Sequence, residues 1–231
     1  MLVLAVDSST DVGSVSLFDE EKLIGEHLLN LEKTHSQRLM PQIIELVTSC
    51  GYQLEELEGI GVAVGPGSFT GTRIGLATAK TLAQSLQLPI VGISTLEAIA
   101  YSCKYLTGYI CPVIDARGGR VFTTLYQGGN QLEAKRKETL LAVEDLVDQL
   151  ATIEEPIYFV GQIAQKYQEQ IETGITAAQF VTNNFNLPRA GAVGELAFKA
   201  LKAGNESDLF ALTPNYLKRS QAEIQWEQKH G

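Results

Sequence analysis

Residues 59–93 constrain the fold more than any other stretch of the chain. An apolar run at 59–64 ends in Gly65-Pro-Gly-Ser-Phe-Thr-Gly71, a helical pattern follows from about 72 to 86, and a second apolar run covers 89–93. Strand, helix and strand in this order make a right-handed crossover, which sets two parallel strands in one sheet. The class is therefore α/β.

The flanking segments extend that sheet. Residues 2–6 are apolar, 13–18 alternate with Val15 and Leu17 on one face, and 23–29 form a third candidate strand. Short polar spacers between them predict an antiparallel meander. Thr34 and Gln37 have the spacing of a capping box, and Leu39, Ile43 and Val47 recur every four residues, which predicts an amphipathic helix stopped by Gly51. Pro41 lies inside it and predicts a kink or a later start. Ser94 and Glu97 form a second capping box, opening a helix toward Cys103.

Beyond residue 105 a second set of elements begins. Strands are expected at 109–114, 121–126 and 157–160, and helices at 143–150, 162–171 and 190–203, the last closed by Gly204. The length of 231 residues allows one large domain or two small ones. We divide the chain into 1–105 and 106–231, and leave open whether the helix at 190–203 returns to the first domain. No close internal repeat is visible.

Composition excludes several functions. Hydrophobic residues make up 45% and charged residues 19%, which is globular rather than disordered composition. The net charge of −9 excludes a stand-alone nucleic-acid binder, although a partner could supply a basic groove. Cys50, Cys103 and Cys111 form no CxxC pair and read as free thiols in a reducing compartment. His27, His35 and His230 are scattered, so no metal site is expected. Residues 1–6 lack a basic region and meet Asp7 at once. They suit neither a signal peptide nor a membrane span, and a cytoplasmic location is expected.

Four motifs have two readings each. Gly65, Gly67 and Gly71 either present amides to a phosphate or make a tight turn capped by Ser68, Thr70 or Thr72. Gly71, Gly75, Ala79 and Ala83 form a ridge of small residues. An exposed ridge would receive a partner helix, and Gly75→Leu would then block association with the fold intact; otherwise the ridge packs on this chain's own sheet. Asp7 and Thr10 end the first strand, either near a metal–phosphate group or in a hydrogen-bonded turn. Asp115, Arg117 and Arg120 flank a Gly-Gly turn and form either a charged-ligand site or a solvated hairpin. Ser68 is not in a GxSxG elbow, which argues against a protease.

Several segments together are similar to the TsaB (YeaZ) family. They are Leu4-Ala-Val-Asp-Ser-Ser-Thr10, Thr34-His-Ser-Gln-Arg-Leu-Met-Pro41, the stretch from Gly65 through Arg73 to Gly75, and Pro89-Ile-Val-Gly-Ile-Ser-Thr-Leu-Glu97. Asp115-Ala-Arg117 and Pro214-Asn-Tyr-Leu217 agree less specifically. The resemblance implies an actin/Hsp70/sugar-kinase-like (ASKHA) fold of two related α/β subdomains. It also implies a non-catalytic partner that activates a TsaD-type transferase, the enzyme forming threonylcarbamoyladenosine in tRNAs that read codons starting with A. A TsaE-type ATPase joins them, tRNA is reached through the complex, and the chain self-associates when alone. The interface it implies comprises Thr34, His35, Arg38, Leu39, Pro41, Gly71, Arg73, Gly75, Ala79 and Ala83.

The catalytic relative has an HxxxH metal pair where this chain has Thr95 and Ile99, so no catalytic residue is assigned. Asp7, Thr10, Gly65 and Gly67 remain the candidates for nucleotide contact. No tightly bound cofactor is expected in this chain alone, with ATP and magnesium entering only in the complex. The alternative is an ATP-binding enzyme of the same fold, such as a small-molecule kinase.

Overall fold

The computed structural model describes residues 1–20, 22–30, 35–162 and 164–218. The expected meander forms: β1 (Val3–Asp7), β2 (Val12–Phe18) and β3 (Leu23–Asn30) pair antiparallel. Helix α1 (His35–Ser49) follows, and Gly51 has a φ of +84° just past its end. The helix runs through Pro41 rather than starting after it, while the Thr34 cap lies outside the described residues. Strand β4 (Gly59–Ala63), helix α2 (Phe69–Leu86) and strand β5 (Ile90–Ile93) make the crossover. Strand β4 lies parallel to β1 and β5 parallel to β4, giving the order β3-β2-β1-β4-β5.

Helix α3 (Thr95–Tyr101) leads into the second sheet. Its strands are β6 (Tyr109–Asp115), β7 (Arg120–Thr123), β8 (Tyr126–Gln127), β9 (Glu133–Ala134), β10 (Thr139–Ala142), β11 (Ile157–Val160) and β12 (Ala178–Phe180). Helices α4 (Val143–Leu150), α5 (Gln168–Gly174) and α6 (Ala190–Lys202) complete the helices of the described residues. The main path is β10-β7-β6-β11-β12, with two antiparallel pairings followed by two parallel ones. That is the pattern of the first sheet. The duplication is thus one of topology, with no close repeat of sequence.

Two expected elements differ. The strand at 121–126 divides into β7 and β8, which pair with different parts of β6 and then with β10 and β9. The carbonyl of Leu125, between them, accepts from Lys135 N–H instead. The helix expected at 162–171 starts later, as a 3-10 turn at Gln165–Tyr167 followed by α5. The chain must first clear Gly161, at φ +123°, where any Cβ would overlap the Val113 carbonyl.

Side chains alternate across each strand, so each sheet has two apolar faces to cover. Leu4, Val6, Ile60 and Val62 pack against Ile43, Val47, Leu76 and Leu82 of α1 and α2. On the reverse face Val3, Ala5, Ala63 and Val91 pack against Ala190, Val193, Ala197 and Phe198 of α6. In the second sheet Cys111, Val113, Ile157 and Phe159 meet α4 and α5. Ile110, Ile114, Phe122 and Val160 meet Leu96, Ile99 and Ala100 of α3. The last helix of each half therefore covers the other half's sheet.

The first turn of α6 has no cap from its own N-cap residue, Arg189. The meander supplies one. Ala190 N–H donates to Ser14 Oγ (2.9 Å) and Gly191 N–H to Glu26 Oε1 (2.8 Å). Arg189 Nε donates to Glu26 Oε2 (2.9 Å). A carboxylate at a helix N-terminus also suits the helix dipole. Among the described residues no helix is long and apolar enough to cross a membrane.

Candidate functional site: an interlobe cleft and a two-helix surface

Past α6 the chain does not wander. Residues 205–218 form a strap along the edge of the first sheet, then cross to the second. Ser207 N–H donates to the Ile90 carbonyl, Asn215 N–H to the Val64 carbonyl (2.7 Å), and Lys218 Nζ to the Ala116 carbonyl (2.8 Å). Leu209 and Leu212 join the first core and Leu217 joins the α3 side of the second.

Between the two sheets and the strap lies a cleft with a cavity of about 490 Å³. Ser9, Thr10, Gly67 and Thr70 line its first-sheet wall, Asp115 and Arg117 its second, and Tyr216 and Lys218 the strap side. Asp7 is fully buried, and its Oδ1 accepts from Ser9 N–H (2.8 Å) and Ser9 Oγ (2.6 Å). It holds its own turn and is not in the cleft lining. Thr10 does line the cleft, while its Oγ1 accepts from Val12 N–H (3.2 Å).

The glycine loop is explained by the same turn. A Cβ on Gly67 would overlap the Ser9 carbonyl, and one on Gly71 the Ser8 carbonyl. Ser68 N–H donates to the Ser9 carbonyl and Ser8 Oγ to the Gly71 carbonyl (2.8 Å). Ser68 is the N-cap of α2, accepting from Gly71 N–H. Gly65 has a φ of +98°, and its carbonyl accepts from Thr95 N–H. The amides of Ser68, Gly71 and Thr72 are therefore spent within the protein. The cap at Ser68 is the one the tight-turn reading expects, and Gly65 and Gly67 also serve backbone packing.

The ridge on α2 is corrected as well. Gly71 and Gly75 are buried, as are Ala79 (0% exposed) and Ala83 (1%). A Cβ on Gly75 would meet the Ser8 hydroxyl and Val6. These four residues face the chain's own sheet and offer nothing to a partner helix. Leu39 of α1 is likewise buried at 2% exposure. The outward side of the pair carries Arg38, Pro41 and Ile44 on α1 and Phe69, Arg73 and Ala77 on α2, all exposed. His35 begins α1, and Thr34 lies outside the described residues.

Arg117 is left-handed (φ +62°), and its N–H donates to Asp115 Oδ1 (2.9 Å), which brings both residues to the cleft rim. Arg120 starts β7 and does not line the cleft. Thr95 and Ile99 are both buried in α3. Ile99 also lines the cleft floor.

One junction carries no local sequence signal. Glu138, just before β10, accepts from Ser94 Oγ and from Asn215 Nδ2 (2.7 Å), and so ties α3, the second sheet and the strap together. Glu97 lies nearby on α3. Burial pushes the Glu138 carboxyl above the usual glutamate range, against the pull of its two donors. Burial and the Glu138 charge raise Glu97 in the same direction. Unfolded glutamates release their protons first as pH rises, so the native state holds the extra protons in that window. Stability should then fall as pH climbs from the ordinary glutamate value through the raised ones, and level off above them. Glu97→Gln is expected to flatten that slope in thermal melts recorded from pH 4 to 8. An unchanged slope would place the titrating groups elsewhere.

Residues 26–226 match the family model for TsaD, tRNA N6-adenosine threonylcarbamoyltransferase. The tRNA threonylcarbamoyladenosine biosynthesis protein TsaB of Bacillus subtilis is 36% identical over 228 residues, covering 98% of each chain. The structure of YeaZ from Pseudomonas aeruginosa superposes with a TM-score of 0.77 at 27% identity, over 94% of this chain and 99% of that one. A ROK hexokinase from Thermus thermophilus shares the fold, with a TM-score of 0.52 at 12% identity over 87% of this chain and all of that one. With two mixed sheets of matching topology, each flanked by helices, and these full-length similarities, the chain has the ASKHA fold and belongs to the TsaB (YeaZ) family.

Proposed function

We propose that the chain is a non-catalytic subunit in the biosynthesis of threonylcarbamoyladenosine in tRNA, where it binds and activates a TsaD-type transferase in the cytoplasm. The observation that carries this reading is the full-length kinship with a protein named for that biosynthesis. The resemblance sets Thr95 and Ile99 at the positions of the transferase's metal-binding histidines, and neither side chain suits that role. Asp7 and the amides of Ser68, Gly71 and Thr72 are engaged within the fold, which supports the view that the chain holds no nucleotide tightly on its own. ATP and magnesium then belong to the complex, which includes a TsaE-type ATPase and reaches tRNA through its other subunits. The kinase-like alternative gains nothing from the relatives.

The partner, or a second copy of the chain when the partner is absent, is placed on the outward side of α1 and α2. The deciding experiment is omission of this chain from a reconstitution with tRNA, threonine, bicarbonate, ATP and the other proteins. Modification should depend on the chain, and the chain alone should make none. Equal modification without it would remove the reading. Ile44, 44% exposed, provides the surface test. Ile44→Asp is expected to weaken partner binding about tenfold, as for a moderate hot spot, with an unchanged melting temperature. Wild-type affinity in that variant would move the interface off this face.

A further inference from the structure

We propose that Arg73 presents a fixed guanidinium fork that takes a carboxylate of the partner subunit. The inference rests on the helix-pair surface proposed above and adds the chemistry of its anchor.

Arg73 sits exposed near the start of α2. Its guanidinium carbon lies 3.8 Å from the centroid of the Phe69 ring and 5.6 Å from that of Tyr216. Those two rings stack on each other at 4.8 Å. Arg73 Nε donates to the Tyr216 hydroxyl at 2.6 Å. Tyr216 is held in turn by its neighbours on the strap, because Asn215 bonds to Val64 and Glu138, two residues away Lys218 bonds to Ala116, and Leu217 is packed in the second core. A side chain that would normally sample many rotamers is therefore held in one plane by α2, the strap and the second sheet.

Only Nε is used. Among the described residues the two terminal nitrogens of this exposed side chain meet no acceptor, so their N–H groups are left to bind one from outside the chain. A planar fork of this kind matches a carboxylate with two parallel hydrogen bonds, which a lysine cannot do.

The charge pattern selects a carboxylate over an RNA backbone. The chain carries −9 overall, which repels a polyanion. Lys80, the other cation on α2, is engaged by the Leu212 carbonyl (2.9 Å) and that of Phe210 (3.4 Å). Phosphate-backbone binding draws on several cations at once, whereas the exposed cations among the described residues of α1 and α2 are Arg38 and Arg73, and one oriented fork suits a single acid on a partner protein.

The test is the dissociation constant for the purified transferase subunit, measured by calorimetry on the full chain. Arg73→Lys keeps the charge and loses the fork, so it should weaken binding about tenfold, and Arg73→Gln at least as much. Tyr216→Phe keeps the ring stack and removes the hydroxyl that orients Nε. A smaller loss, about threefold, is expected there, since Tyr216 is a positioning residue, and the loss should shrink in Arg73→Gln background. Melting temperatures should stay close to wild type for all three. Equal affinity for wild type and Arg73→Lys overturns the inference while leaving the proposed function standing. A wild-type chain that does not bind the transferase removes both. If Arg73→Gln instead weakens binding of tRNA by the chain alone, with transferase affinity unchanged, a phosphate is the occupant and the carboxylate assignment is wrong.

Discussion

Gly71→Ala is expected to lower the unfolding free energy by about 3 kcal/mol, the upper end for overpacking a filled site. For a chain of this length that corresponds to a fall of about 6–12 °C in melting temperature. The new Cβ would overlap the Ser8 carbonyl oxygen, which belongs to backbone and cannot swing aside. Ser8 is also tied back to Gly71 through its hydroxyl. Gly75→Ala should cost less, because the atom it meets first is the Ser8 hydroxyl, the end of a side chain. Gly75→Leu should unfold the protein outright. The exposed-ridge reading expects the opposite, an intact fold with failed association. Denaturant titrations of the three variants separate the two, and a Gly71→Ala protein as stable as wild type would mean the loop does not grip the turn.

Glu26→Ala is expected to destabilise by about 3 kcal/mol, the low end for breaking a buried ion pair, because Arg189 is partly exposed and can rehydrate. The Glu26 side chain is 5% exposed against 41% for Arg189. Its loss leaves Gly191 N–H without an acceptor and frees the entry of α6 from the meander. Hydrogen exchange should rise first in the opening turn of α6, before the rest of the first sheet. Glu26→Gln, which keeps an acceptor for Gly191, should recover part of the loss. Uniform exchange across both sheets in Glu26→Ala would show that α6 is not held there.

The sequence made some features legible and hid others for identifiable reasons. The crossover at β4-α2-β5 could be read because Gly65, Gly67 and Gly71 punctuate two apolar runs within 35 residues. The caps at Ser68 and Ser94 could be read because their partners are three residues away. The facing of the small-residue ridge could not, since an i, i+4 pattern marks a face without saying what covers it. The cover is Ser8, more than 60 residues earlier in the chain. Glu138 gave no signal for the same reason: its donors are Ser94 and Asn215, 44 and 77 residues away. The strap, too short of periodicity to be read as an element, is held by scattered hydrogen bonds and leucine contacts to residues distant in sequence.

The exchange of terminal helices between the halves also bears on how the molecule is made. Strands β1, β4 and β5 leave the ribosome early, yet Val3, Ala5, Ala63 and Val91 wait for Ala190 to Phe198 before one apolar face is covered. The chain is synthesised at about 5–20 residues per second, so that face stays open for several seconds in every nascent copy. A product cut off anywhere before α6 keeps it open permanently and becomes a substrate for chaperones and proteases. Completion of the first sheet's core thus waits on one helix made late in synthesis.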